Sequence, residues 1–405
     1  MGIKVYKSGV SKMPEVAKNL LLLALLVLIA IYLAHRFPEM EKGTDFPDFY
    51  AAAKLVHDGL GPQLYDPAVQ ERSQIRYSSR IGTLYIHPAF EVLFYLPFAA
   101  APPQRAYVLW SLLNLGLLIA IARLLQHYAF TPVGWQVLLA LFLVFAPVLL
   151  NLLQGQDSVL LLFFVTMSFV ALTRGNEFLA GCLLACGLFK FHLILPLALI
   201  LAVNRTKRFL LGFLLVAVVL ILISVAICGP GFLVAYPRFL SGLPNLPFSG
   251  IHPRQMANVR GLAALLVPGS RSGYFVLTIA ASLLMFSIAL PRSIVARRQS
   301  QAAALVFASA VLFSVLVSYH LSPHDLSILL VPMTIISTYI LATHQTSKRL
   351  RMILVAGLVI LYLPPLHLFL LAAHSYAYAA IPILVLFLSC YAELKKVSLA
   401  IRTNL

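Results

Sequence analysis

Two aspartates stand three residues apart in the run Gly43-Thr44-Asp45-Phe46-Pro47-Asp48-Phe49-Tyr50-Ala51-Ala52-Ala53-Lys54-Leu55, which is closed by Asp58-Gly59 and Leu64-Tyr65-Asp66-Pro67. Carboxylates at this spacing can cap a helix that Pro47 starts and Ala51 to Ala53 continue. They can also hold Mg²⁺ or Mn²⁺ between themselves and a phosphate. The proline between them and the lack of a third ligand nearby speak against the metal, and no other metal constellation stands out, so no bound metal or cofactor is expected. His324-Asp325 forms a second ionisable pair, at the start of an apolar run after Tyr319-His320; such a pair can cap its helix or face a cavity. Lys190 interrupts a long apolar stretch. A lone lysine at membrane depth is costly, so it must face a cavity, a lipid phosphate or an acidic partner. His252, Arg254 and Arg260 punctuate a Pro- and Gly-rich segment, where they can meet phosphates or lipid headgroups.

The elements that hold these residues are membrane helices. The 405-residue chain is 61% hydrophobic and 11% charged, with a mean hydropathy of +0.93. A soluble domain carries about 45–50% apolar and about 25% charged residues, which excludes a large water-soluble enzyme. Lys and Arg number 30 against 13 Asp and Glu, a formal net charge of +17. Most of these cations lie between apolar runs, where positive-inside orientation and anionic headgroups explain them without nucleic acid. The four cysteines sit in or beside apolar stretches and read as small core residues.

About 20 apolar residues cross a bilayer as a helix. The run Leu20 to Ala34 follows Lys4, Lys7, Lys12 and Lys18 and lacks a cleavage site, so it is expected as an uncleaved first span with a cytoplasmic N-terminus. Cytoplasmic anchors at 205–208, Arg292 with Arg297-Arg298, Lys348-Arg349 with Arg351, and Lys395-Lys396 with Arg402 pair the later spans as 209–228 with 272–290, 301–318 with 324–342, and 350–370 with 377–392. The C-terminus is then cytoplasmic. Between the first span and residue 205 an odd number of crossings is needed from 87–101, 105–122, 135–150, 158–173 and 177–203. Either 87–101 crosses and 177–203 is one long helix, or the former is re-entrant and the latter a hairpin. Two segments are too long to be connectors: 35–86, which holds seven of the 13 acids, and 229–260. Both fall on the external side, where long loops of a membrane enzyme carry function.

The pattern Asp-Phe-x-x-Phe-Tyr-x-Ala-Ala, followed by Gly and Leu-Tyr-Asp-Pro, resembles the first external loop of glycosyltransferase family 87, the polyprenol-phosphate-mannose-dependent mannosyltransferases of the GT-C superfamily. In order there follow Tyr85-Ile86-His87-Pro88, Asn151-Leu152-Leu153-Gln154-Gly155-Gln156-Asp157, Leu179-Ala180-Gly181 running to Phe189-Lys190, Met256-Ala257-Asn258-Val259-Arg260-Gly261, and Ser322-Pro323-His324-Asp325-Leu326. The resemblance spans roughly residues 20 to 345. It implies an all-α polytopic GT-C fold of about 11 to 13 spans with a helical first external loop, one integral-membrane domain over 1–405, in the plasma membrane with its site on the external face. It also implies a polyprenyl-phosphate sugar donor and a lipid or glycan acceptor.

Asp45 takes the place of the family's loop base. One carboxylate suffices for an inverting transfer, because it needs only to accept the acceptor hydroxyl's proton while the lipid phosphate leaves. Asp48 competes for that role. His324 and Asp325 are expected to assist or bind sugar. Arg254, Arg260, His252 and Lys190 are the candidates to meet the leaving phosphate. Tyr50, His87, Gln156 and Asn258 complete the expected substrate-binding set. The rival class, a secondary transporter or lipid flippase, would show pseudo-symmetric halves and midplane charges; the halves here do not match, and the acids gather in one loop.

Overall fold

The computed structural model describes residues 44–77, 84–243, 252–295, 300–342 and 346–403, together with part of 17–28, which is helical. The remainder of the predicted first span, Glu39, Glu41, the loop tip 244–251 and Arg297-Arg298 lie outside the described residues. Among the described residues every regular element is a helix.

Two helices form the first loop, α1 (Phe46–His57) and α2 (Pro67–Gln74). Pro47 lies in the first turn of α1, and Gly59, at φ +80°, turns the chain away after Asp58. Asp66 caps α2 by accepting from the Ala68 and Val69 amides. Gln70 pins the loop: its amide donates to the Leu64 carbonyl (2.7 Å) and its oxygen accepts from the Tyr85 amide (2.7 Å). Aromatic packing fixes α1 to the next two helices, α3 (Ala89–Phe98) and α4 (Pro103–Tyr128). Phe46 meets Tyr107 edge-on at 5.4 Å, Phe49 stacks on Tyr95 at 4.7 Å, and Tyr95 lies 4.2 Å from Trp110. These contacts make the first loop a packed lid on the helices.

The chain continues through α5 (Trp135–Val144), α6 (Ala146–Gln154), α7 (Ser158–Thr173), α8 (Glu177–Ala185), α9 (Phe191–Asn204), α10 (Lys207–Cys228), α11 (Phe232–Gly242), α12 (Val259–Leu266), α13 (Arg271–Val295) and α14 (Ser300–Val317). Then come α15 (Pro323–Ala342), whose first turns are 3₁₀, α16 (Lys348–Tyr362), α17 (Pro364–Ala372) and α18 (Ala380–Thr403). Boundaries predicted at 158–173, 209–228, 301–318 and 324–342 agree with these helices to within two residues, and α13 runs five residues past the predicted end at 290.

Three predicted spans are broken. The 135–150 run bends by 70° between α5 and α6, where Phe145 is extended and Pro147 opens the next helix. The 350–370 run bends by 60° because Leu363, extended at φ −74° and ψ 103°, precedes Pro364; a residue before proline is pushed out of the helical region. The 177–203 run bends by 63°. It is thus neither the straight helix nor the hairpin that parity allowed. The 87–101 segment forms the 10-residue α3, about 15 Å long against a hydrocarbon core of about 30 Å, too short to cross alone. Five described helices are long and apolar enough to span, and up to eight if each bent pair is one span. Three shorter apolar helices, Ala89–Phe98, Ser158–Thr173 and Ala303–Val317, stand outside that count.

Glycine sets the tightest helix contact. A Cβ on Gly181 of α8 would lie 2.0 Å from the Phe209 carbonyl oxygen of α10, and one on Gly212 of α10 would lie 2.1 Å from the Phe178 oxygen. Membrane helices gain little from hydrophobicity against each other, so close backbone approach through small residues supplies the attraction. The opposite face of α10 exposes Leu211, Leu214, Leu215, Val218 and Leu222, a surface suited to lipid. The cysteines Cys182, Cys186, Cys228 and Cys390 are free thiols.

Candidate functional site

Asp45 occupies the N-cap position of α1 but makes no capping hydrogen bond with its side chain. Its Oδ2 instead accepts from Gln156 Nε2 at 2.7 Å. Gln156 is placed there by Gly155, which ends α6 in the left-handed region at φ +66°. A side chain at Gly155 would also strike Phe46, its Cβ falling 2.6 Å from the Phe46 Cβ. The close approach of Gly155 to Phe46 therefore brings the α6 tip up against the start of α1. Trp110 donates to the Gln156 carbonyl at 3.3 Å, and Tyr107 donates to the Leu152 carbonyl at 2.9 Å.

Gln154, on the other side of Gly155, lies 2.8 Å from His324 through its Oε1 and the imidazole Nδ1. With the Gln154 amide oriented this way, its oxygen accepts from Nδ1–H and Nε2 is the basic nitrogen. His324 Nε2 lies 3.7 Å from Asp325 Oδ1. One three-residue tip, Gln154-Gly155-Gln156, thus holds Asp45 with one glutamine and His324 with the other.

Beside the tip lies a buried polar cluster. Asn151 turns the chain into α7, its Oδ1 accepting from the Ser158 and Val159 amides at 2.8 and 3.3 Å. The Lys190 ammonium, 2% exposed, pairs with Asp157 Oδ1 at 2.7 Å and with Asp325 Oδ1, and donates to Ser158 Oγ at 3.0 Å. The partner sought for this lysine in the sequence is thus a pair of acids, Asp157 and Asp325. Asp325 is further fixed by a capping box with Ser322, whose amide donates to Oδ2 at 2.8 Å. Asp325 thus caps its helix, and His324 meets the α6 tip.

His87 adds the far wall. Its Nδ1 lies 2.9 Å from Glu91 Oε2 and 3.6 Å from Asp157 Oδ2. Tyr85 donates to Glu91 Oε2 at 3.1 Å, and Tyr65 donates to the His87 carbonyl at 2.9 Å. Burial holds the His87 imidazole down at about 4, although the charge of Asp157 works the other way. Burial would raise the Asp157 carboxyl, but Lys190, with Glu91 and His87, overcomes it and brings it to about 2. His192 and His320 meet edge-on at 5.7 Å.

The other expected residues lie differently. Asp48 is buried in the first turn of α1. Tyr50 spends its hydroxyl on the Ala101 carbonyl (2.8 Å) and stacks edge-on with Tyr77. Asn258 caps α12, accepting from the Gly261 amide and donating to the Ser318 carbonyl at 2.8 Å. Arg260 lies over the Tyr319 ring at 4.1 Å, donates to the Tyr319 carbonyl at 2.7 Å, and borders a cavity shared with Phe275, Thr278, Ile279, Ser282 and Leu283. His252 and Arg254 are exposed on the way into α12. Sequence reasoning missed Glu91, Gln154 and Ser158 as parts of the site. An acid inside an apolar run, as Glu91 is, was the available signal.

The family model of glycosyltransferase family 87 matches residues 85–318, more than half of the chain. The matched stretch contains His87, Gln156, Asp157, Lys190, Asn258 and Arg260; Asp45, Asp48, His324 and Asp325 lie outside it. No curated protein and no solved structure matches the chain.

Proposed function

The chain belongs to glycosyltransferase family 87, a membrane glycosyltransferase acting between a sugar donor and an acceptor, and from that premise we propose a hexosyl transfer, of mannose in the first instance, from a polyprenyl phosphate to an external lipid or glycan. In this reading Asp45 is the base. A carboxylate that sits at a helix N-cap yet leaves the cap unmade, and is instead oriented by a glutamine on the α6 tip, is the observation that carries the assignment. A base must be aimed at one proton, and Gln156 aims it. Asp45 takes the proton of the acceptor hydroxyl as that oxygen attacks the anomeric carbon, with inversion, and the lipid phosphate departs without acid assistance.

His324, with its Nδ1 proton directed to Gln154, offers Nε2 to a sugar hydroxyl, and Asp325 holds the helix start on which it sits. Arg260 takes the phosphate, helped by Arg254 and His252 along the connection into α12. Asn258 sets the first turn that carries Arg260. His87 and Tyr50 act by shaping the loop and cluster beside Asp45. Lys190 serves by holding Asp157 and Asp325. The site faces outward from the plasma membrane, with both termini cytoplasmic. Membership of a glycosyltransferase family favours this reading over a transporter or flippase.

The test is transfer of labelled mannose from polyprenyl-phosphate-mannose in proteoliposomes that hold the purified chain and envelope lipids. Asp45→Asn should lower turnover by at least about 10²-fold, the lower bound for losing a positioned base, while Asp48→Asn retains it. An active Asp45→Asn with an inactive Asp48→Asn would overturn the assignment of the base. Absence of transfer from this donor, with transfer from another lipid-linked sugar, would overturn the choice of mannose.

A further inference from the structure

The buried cluster beside the α6 tip carries more negative charge than its lysine can neutralise. Glu91, Asp157 and Asp325 are each no more than 1% exposed, and Lys190 pairs with Asp157 and Asp325. Three carboxylates against one ammonium leave a formal excess of two charges in a place that water does not reach, and such an excess must be met by protons or by a cation. Asp325 is satisfied by Lys190, Ser158 and the Ser322 amide. The excess therefore falls on Glu91 and Asp157.

These two acids and His87 converge. One ligand atom from each lies within 4.8 Å of the others, with His87 Nδ1 at 2.9 Å from Glu91 Oε2 and 3.6 Å from Asp157 Oδ2. Neighbouring ligands around an ion at about 2.1 Å sit about 3.0 Å apart when octahedral and about 3.4 Å apart when tetrahedral, and the two His87 distances, 2.9 and 3.6 Å, lie close to these values. Glu91 Oε1 is fully buried and has no hydrogen-bond partner. Around the ligands stand the supports such a site needs: Tyr85 donates to Glu91, Tyr65 holds the His87 backbone, and Lys190 fixes the other oxygen of Asp157. The His87 side chain is 16% exposed, where Glu91 and Asp157 are sealed.

We propose that His87, Glu91 and Asp157 bind one divalent transition-metal cation of the Mn²⁺ or Zn²⁺ type. Imidazole with two carboxylates favours these ions over Mg²⁺, which takes oxygen and keeps its waters. Two positive charges cancel the excess of the cluster. The ion ties α3 to the start of α7, next to Gln156, which orients Asp45. It is not required to touch the sugar or the phosphate, and the site stands on the charge and geometry of the cluster whatever the donor.

The experiment uses the full chain in detergent, stripped with EDTA and titrated with Mn²⁺ while the signal of the free ion is followed by electron paramagnetic resonance. One saturable site per chain is expected, with competition by Zn²⁺. Glu91→Gln and His87→Ala should each weaken binding by at least tenfold, and Asp45→Asn should leave it unchanged. His87 is partly exposed, so His87→Ala stays informative if Glu91→Gln fails to fold; each variant is checked for a single gel-filtration peak. Absence of a saturable site, or binding that both variants leave intact, would overturn the proposal. A protonated-carboxyl infrared band lost in Glu91→Gln, with no bound Mn²⁺, assigns the excess to a shared proton and overturns it as well. Because binding is read without turnover, a failed transfer assay and a failed metal site remain distinct results.

Discussion

Lys190→Met gives the sharpest test of how the site is held together. The substitution keeps the length and apolar stem of the side chain and removes an ammonium that pairs with Asp157 and Asp325 in a place 2% exposed. Two buried carboxylates then lose their counter-ion, and breaking a buried pair by removing one partner costs about 3–5 kcal/mol. Unfolding entropy of about 2.1 cal/mol/K per residue gives a chain of this length about 0.85 kcal/mol/K, so the loss corresponds to a fall in melting temperature of about 4–6 °C. Intrinsic fluorescence reports it directly in detergent, because Trp110 is buried against Tyr95 and donates to the Gln156 carbonyl at the site itself. Adding Asp325→Asn removes one of the two stranded charges and should recover about half of the loss, since coupled residues do not add. A single variant that melts within about 1 °C of the parent, or a double variant no better than the single, would refute the view that Lys190 serves its two acids.

Helix packing and pH give two more checks. Gly181→Val must push α8 and α10 apart, since even a Cβ would fall 2.0 Å from the Phe209 oxygen; the expected cost is about 1–3 kcal/mol, as for other overpacked cores, read as a lower melting temperature beside an unaffected Gly116→Ala on α4, where a Cβ meets nothing. His320, outside the spans, is held down at about 4 by burial, with Asp325 opposing and Lys190 reinforcing the shift. Below the ordinary value of 6.5 the unfolded chain gains a proton that the folded chain refuses, so stability is full above about pH 7 and falls as the pH drops from 6.5 towards 4. Melting temperature measured across this window should decline in the parent and decline less in His320→Gln; equal slopes would remove His320 as the cause.

The membrane class, most helix boundaries and the candidacy of Asp45 were readable from the chain alone. Each rests on a local signal: an apolar run as long as a bilayer is thick, a basic cluster beside it, or a short motif such as Asp45-Phe46-Pro47. The breaks at Phe145 and Leu363 also had local causes, in Pro147 and Pro364, which a count of apolar residues passes over. What surrounds Asp45 was not readable in this way. Gln156 reaches it across 111 positions, Gln154 reaches His324 across 170, and Lys190 reaches Asp325 across 135. A charge in an apolar run announces that it must have a partner, because the membrane interior leaves it no water, but it does not say which one. Only the packing of α3, α6, α7 and α15 around the α6 tip decided that Lys190 answers two acids, that Asp45 is oriented instead of capping its helix, and that Glu91 stands with His87 and Asp157.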